Sequence, residues 1–199
     1  ADVTVRGDVG AGGESAFYTC EALAAVTISG SVASIGNSAF SGLKNLPQFH
    51  VGGTLGWIGN EAFSGCSGLT EFPAIDGGMT GQISIYAFRG CTGFHRIILP
   101  EGVTIVGGSA FDSRDLTAVW IPASVTRIVD YAFDFLYLKD IYYGGTEEQW
   151  KAVEGYKNVQ RDGLPVIHYN CARELPETAA GDGETLRRLV QDGIGAGLT

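Results

Sequence analysis

Hydrophobic and polar positions recur along most of this chain in a short fixed order. Apolar–x–apolar trios open successive rows, "VTVRGDV" (3–9), "VTISGSV" (26–32), "FHVGGTL" (49–55), "IILPEGV" (97–103) and "VWIPASV" (119–125). Alternation of that length predicts a very short strand whose first and third residues face inward, with Val26 and Ile28 inside and Thr27 outside. A further apolar residue then stands four before an Ala-Phe pair, at Ile35, Ile58, Ile83, Val106 and Ile128. The pairs start at Ala16, Ala39, Ala62, Ala87, Ala110 and Ala132, so the steps between them are 23, 23, 25, 23 and 22 residues. Self-similarity at a period of about 20–50 residues predicts a solenoid. The row beginning at Phe72, "FPAIDGGMTGQI", carries two extra residues, which leaves its register open.

Between strand and Ala-Phe lie turn formers: Gly36-Asn37, Gly59-Asn60, Gly107-Gly108 and Asp130. Asn37, Asn60 and Asp130, each two before the Ala, are placed to cap one helical turn by accepting a backbone N–H. Gly42, Gly65 and Gly90, each two after the Phe, are placed to leave that turn at positive φ. Leu23, Leu46, Leu69, Phe94, Leu116 and Leu138 then return the chain to the core. Each coil thus reads as strand, turn, brief helical turn and return, with each Phe stacked on the Phe of the next coil. No coil can bury its own apolar edge, so neighbours must do it.

These rows resemble the BspA-like leucine-rich repeats, also called the Treponema pallidum type, whose pattern runs I-P-x-S-V-T-x-I-G-x-x-A-F-x-G-C-x-x-L. "IPASVTRIVDYAF" (121–133) and "IGNEAFSGCSGL" (58–69) carry the likeness, which covers about residues 3–143. The family's Cys column is kept at Cys20, Cys66 and Cys91 and becomes Leu43, Arg114 and Leu136 elsewhere, and Gly12 stands where Ile is expected. The fold expected is a leucine-rich-repeat solenoid of the α/β type. It would have about six coils of 22–25 residues, a parallel β-sheet on one face and short helical turns on the other. The resemblance implies a bacterial surface or secreted protein that adheres to host matrix proteins or to other cells.

The array is expected over residues 1–143, ending in the strand "IYYGG" (141–145). A cap follows over 144–170. Thr146 and Gln149 fit a capping box for a short helix through about Val153, and "LPVIHYN" (164–170) reads as a closing strand. The run YYGGTEEQW…IHYN is similar to segments that close such arrays in surface proteins of gut bacteria. Residues 171–199 read as a linker-like tail, with a short helix over "ETLRRLVQDG" (184–193). The chain opens at "ADVTV" without Met or a visible leader pattern, as expected of a mature or trimmed form.

Composition narrows the function classes. The 199 residues are 45% hydrophobic and 18% charged, enough for one large core. The formal charge of −9 disfavours nucleic-acid backbones and anionic membranes. No apolar run of about 18 residues appears, so no membrane insertion is expected of this segment.

Candidate chemistry is sparse. Cys20, Cys66 and Cys91 read as buried structural thiols. A Cys66–Cys91 bridge between adjacent coils is geometrically allowed, and Cys171 falls outside the array. Cys91 and His95 have metal-ligand spacing but no second pair of ligands. His95 is expected to be solvated and His168 to be structural. "GGSAF" (107–111) lacks the second Gly of a nucleophile elbow, and "GDVGAGGE" (7–14) lacks a phosphate-loop ending. Glu147 and Glu148 suit a helix N-terminus better than catalysis. No catalytic, cofactor or metal residues are assigned, and no enzyme or cofactor is expected.

One column does suggest binding. The outward residue of each first strand reads Thr4, Thr27, His50, Pro73, Ile98, Trp120 and Tyr142, flanked by Gln48, Glu71, Arg96 and Asp140. An exposed strip of large side chains marks a protein-binding surface, although the same residue types also favour strands. The partner-binding residues assigned are His50, Ile98, Trp120 and Tyr142. The function read here is a non-enzymatic protein-recognition module, extracellular or at the cell surface. Two alternatives remain: a structural spacer, and a carbohydrate-binding module with Trp120 and Tyr142 as stacking platforms.

Overall fold

A computed structural model of the chain describes residues 2–7, 9–11, 13–18, 20–133, 137–159 and 165–176. The alternating apolar residues form short strands throughout. In chain order these are β1 (Asp2–Val5), β2 (Val9–Ala11), β3 (Ala25–Ile28), β4 (Val32–Ile35), β5 (Gln48–Val51), β6 (Leu55–Ile58) and β7 (Ala74–Ile75). They continue as β8 (Gln82–Ile83), β9 (Arg96–Ile98), β10 (Ile105–Val106), β11 (Ala118–Ile121), β12 (Arg127–Ile128), β13 (Asp140–Tyr143) and β14 (Val166–His168). Every pairing between them is parallel. On one side of the coils, β1-β3-β5-β7 and β9-β11-β13-β14 form two four-stranded sheets. On the second side, the even-numbered strands β2-β4-β6-β8-β10-β12 form one six-stranded sheet. The expected solenoid is present, but its first-side sheet is split in two and a further sheet lies on the second side.

The helical turns expected at Ala-Phe are tight turns. The residue before each Ala is left-handed: Ser15, Ser38, Glu61, Tyr86, Ser109 and Tyr131 have φ between 50° and 62°. That conformation stops a helix from propagating past a single i→i+3 bond, such as Ala62 N–H to the Gly59 carbonyl at 3.3 Å, which closes the turn holding Glu61. It also turns the corner's N–H groups toward the next coil. Phe40 N–H donates to the Ala62 carbonyl and Phe63 N–H to the Ala87 carbonyl, each at 2.8 Å. Asn37 belongs to the same ladder rather than capping a helix. Its Oδ1 accepts the Asn60 N–H of the next coil at 2.8 Å. Gly42, Gly65 and Gly90 leave the corner at φ 80°, 73° and 71°, as their spacing predicted.

The six phenylalanines of the pairs form one column. Ring centroids are 4.9, 5.3, 5.1, 5.3 and 5.4 Å apart from Phe17 through Phe40, Phe63, Phe88 and Phe111 to Phe133, with planes within 9° of parallel. Phe63, Phe88, Phe111 and Phe133 are fully buried. Each buried ring contributes about 1.5–3 kcal/mol from apolar area removed from water, with stacking added.

Cys66 and Cys91 lie inward as expected and are free thiols. Cys66 donates to the Phe40 carbonyl at 2.9 Å and Cys91 to the Phe63 carbonyl at 3.1 Å. Cys20 keeps the column's backbone bonds, its N–H donating to the Phe17 carbonyl at 2.9 Å, but on the first coil it is exposed rather than buried. At Arg114 the shortened row shifts the register. Arg114 is exposed, while Ser113 takes the inward place and donates to the Cys91 carbonyl at 3.3 Å.

The C-terminal cap closes both edges. α1 (Glu147–Ala152) opens with both capping-box bonds, Gln149 N–H to Thr146 Oγ1 at 3.2 Å and Thr146 N–H to Gln149 Oε1 at 2.8 Å. Trp150 is buried edge-on against Tyr143, with centroids 5.0 Å apart. After α1, the Glu154 carbonyl accepts the Ile128 N–H at 2.8 Å and so continues the second-side ladder past β12. β14 pairs with β13 on the first side. The helix expected over 184–193 lies outside the described residues.

Candidate recognition face

The outward residue of each first-side strand is set by register. Thr4, Thr27, His50 and Ala74 align in one sheet, and Ile98, Trp120, Tyr142 and His168 align in the other. Pro73 was expected in this column. The extra residues of its row move Ala74 into the place opposite His50, and Pro73 is buried. Because Pro73 offers no N–H, β7 is only two residues long, and no ladder joins it to β9. The sheet is interrupted there.

The half of the column before this break is open. Thr4 is exposed and Thr27 half-buried. His50 is 40% exposed, with its Nε2 3.0 Å from Asp76 Oδ2. Beside it lies a recess of about 340 Å³ lined by Thr27, Gln48, His50, Glu71 and Pro73, among others. Asp76 sits two residues beyond the aligned Ala74. No strand pattern pointed to it, because the register of its row was open.

The half beyond the break is covered. Trp120 and Tyr142 were expected on the surface, yet they are 2% and 5% exposed. The physical reason is the segment Cys171–Pro176. After Asn170, left-handed at φ 55°, the chain turns back across the sheet. Cys171 N–H donates to the Tyr143 carbonyl at 3.0 Å, and the Trp120 indole N–H donates to the Cys171 carbonyl at 3.3 Å. Cys171 and Leu175 pack on Trp120, Tyr142 and Ala118, with Ile98 half-buried at the margin. Arg96 Nη2 donates to the Pro176 carbonyl. Tyr142 also stacks on His168, with centroids 4.5 Å apart, and His168 Nε2 lies 2.9 Å from Asp140 Oδ1. Burial pushes the Tyr142 phenol above its ordinary pKa, and the nearby Asp140 adds to the shift. Of the four assigned residues, the structure therefore leaves His50 open, places Ile98 at the margin, and puts Trp120 and Tyr142 under a strap.

Among the described residues, no group of three His, Cys, Asp or Glu side chains is placed to hold a metal. His95 is exposed, with Nδ1 3.4 Å from the Asp115 carbonyl. No helix among the described residues is long and apolar enough to cross a membrane.

The deciding comparison is with repeat families: residues 12–139 match the BspA-type leucine-rich-repeat region in six copies. The chain belongs to that family. Its fold is similar to that of a leucine-rich-repeat protein from T. pallidum, at TM-score 0.55 and 22% identity over 85% of this chain and 82% of that one. It is also similar to a leucine-rich cell surface protein from Faecalibacterium prausnitzii, at TM-score 0.54 and 29% identity. That match covers 69% of this chain and 35% of the other. None of the curated proteins matches the chain. A shared fold does not fix a partner, so membership supports protein interaction in general and leaves the partner to the face itself.

Proposed function

We propose that this BspA-type protein is a non-enzymatic recognition module of a bacterial cell-surface or secreted protein. It binds a host or microbial protein, such as a matrix component, through the open half of the first-side sheet. The observation that carries this reading is the uncovered run of Thr27, His50 and Gln48 beside a recess formed by the sheet break. The relative from F. prausnitzii, described as a cell surface protein, supports the surface location. Binding would be passive. The strands are held by neighbouring coils, so a partner meets a preformed face and little ordering cost is added. Trp120 and Tyr142 would support this face from beneath the strap, and Ile98 would contact the partner at its margin.

The test is capture of extracellular host and bacterial proteins on immobilised protein, comparing the parent with a Gln48→Ala, His50→Ala double variant. The expected result is a partner whose affinity falls about tenfold in the variant. Unchanged capture in a variant with native thermal stability would move the binding surface elsewhere.

One observation favours the spacer reading. The largest outward side chains, Trp120 and Tyr142, are engaged within the chain itself. The spacer reading predicts that parent and double variant alike capture nothing. The same burial removes the stacking platforms that a carbohydrate-binding module would need.

A further inference from the structure

The strap lies on the sheet as a bound peptide would. Two of its side chains, Cys171 and Leu175, pack on a floor of Ala118, Trp120 and Tyr142. Two of its carbonyls, at Cys171 and Pro176, accept from the Trp120 indole N–H and from Arg96 Nη2. Ala172, Arg173 and Glu174 between them are exposed. The sheet therefore holds the strap by two apolar side chains four residues apart and by backbone carbonyls. Every chain carries carbonyls, so these holds are not particular to the strap.

The covered state also has a cost. Arg96 Nε is buried and has no hydrogen-bond partner. An unpaired guanidinium N–H out of water is unfavourable, and once the Pro176 carbonyl leaves Nη2 the Arg96 head is free to turn into water. The strap enters through Asn170 at φ 55°, so rotation about a few bonds there swings it off the sheet. We propose that the strap is an autoinhibitory occupant of a second docking site, which accepts a partner-protein segment with two apolar side chains four residues apart. That segment takes the strap's place over Trp120 and Tyr142 and gives its carbonyls to Trp120 and Arg96. The covered half adjoins the open half, because the recesses on the two sides of the sheet break share Glu71 and Phe72. A partner seated at His50 thus meets the strap's Leu175 in the next recess.

This inference rests on the recognition reading for the partner, while the site itself rests on the contacts of the strap. A tethered strap competes at an effective concentration of about millimolar order, so a free peptide binds the parent weakly and a loosened variant more tightly. The test uses the full chain, its Leu175→Ser variant and the reduced peptide acetyl-Asn-Cys-Ala-Arg-Glu-Leu-Pro-amide, which copies residues 170–176. A control peptide has Ser in place of its Leu. The readouts are tryptophan emission, acrylamide quenching and anisotropy of the labelled peptide. Leu175→Ser should show red-shifted emission and stronger quenching, both reversed saturably by the peptide. Its affinity for the peptide should exceed the parent's about tenfold, and the control should bind neither. Leu175→Asp serves as a second variant, since a carboxylate is harder to cover than a hydroxyl. Parent-like emission and quenching in both variants overturn the proposal, because the strap then does not lift. An open strap whose place the peptide does not take, or takes equally well without its Leu, overturns it too. If the peptide binds but neither parent nor variant captures a partner, the recognition reading fails and this site stands. If a partner is captured while the peptide does not bind, only this site fails.

Discussion

At the scale of single residues, identity at a repeated position is explained by what the next coil requires. Cys66 and Cys91 are small, apolar and able to donate to the Phe carbonyl of the preceding coil. Burial pushes the Cys66 thiol up to about 12, and Cys91 is raised still further by burial and by Cys66. Both are neutral in the fold and ionise near their ordinary 9.0 once unfolded. Because the folded pKa is the higher one, the stabilisation is complete below about pH 9 and is lost as pH rises toward 12, at about 1.4 kcal/mol per unit per thiol. Urea denaturation at about pH 7.5 and pH 10 should therefore show a steeper loss in the parent than in a Cys66→Ala, Cys91→Ala double variant. Equal slopes would contradict the neutral buried thiols. The Cys column was legible from spacing alone at these two positions. It was misread at Arg114, because one missing residue hands the inward place to Ser113. It was misread at Cys20, which is exposed although the column places it inward.

At the scale of elements, the first-side strands and the cap were readable because each has a local signature. Period-two alternation marks the strands, and Thr146 with Gln149 marks the start of α1. The second-side sheet was hidden. Its strands from β8 onward are two residues long and follow turns, so period-two alternation has no room to show. The strap was hidden for another reason. Cys171–Pro176 has the composition of a linker, and its position is set by long-range contacts with Trp120, Tyr142, Tyr143 and Arg96 that local sequence does not show. That contact decides the candidate site, since it converts two expected surface aromatics into a small satellite core. Removing residues 171–199 should uncover Trp120, red-shifting tryptophan emission and raising quenching by acrylamide. Trp57 is already 40% exposed, and Trp150, on the inward face of α1, is buried against Tyr143, so neither should account for the change. Emission and quenching identical to the parent would mean that the strap does not cover the sheet.

At the scale of the whole molecule, the architecture is a one-dimensional stack. Backbone ladders on two sides, a corner ladder at Ala-Phe and the phenylalanine column all join a coil to its immediate neighbours. Stability in such an array is a sum of coil terms and interface terms. The proposed recognition face would inherit its rigidity from that stack, and its shape from the row with two extra residues. The most direct test is hydrogen–deuterium exchange on Phe63→Ala. Exchange should rise most in the coils carrying Phe40 and Phe88 and fade toward Phe133 and the cap. A rise confined to the coil of Phe63, or unchanged exchange in its neighbours, would contradict the continuous stack.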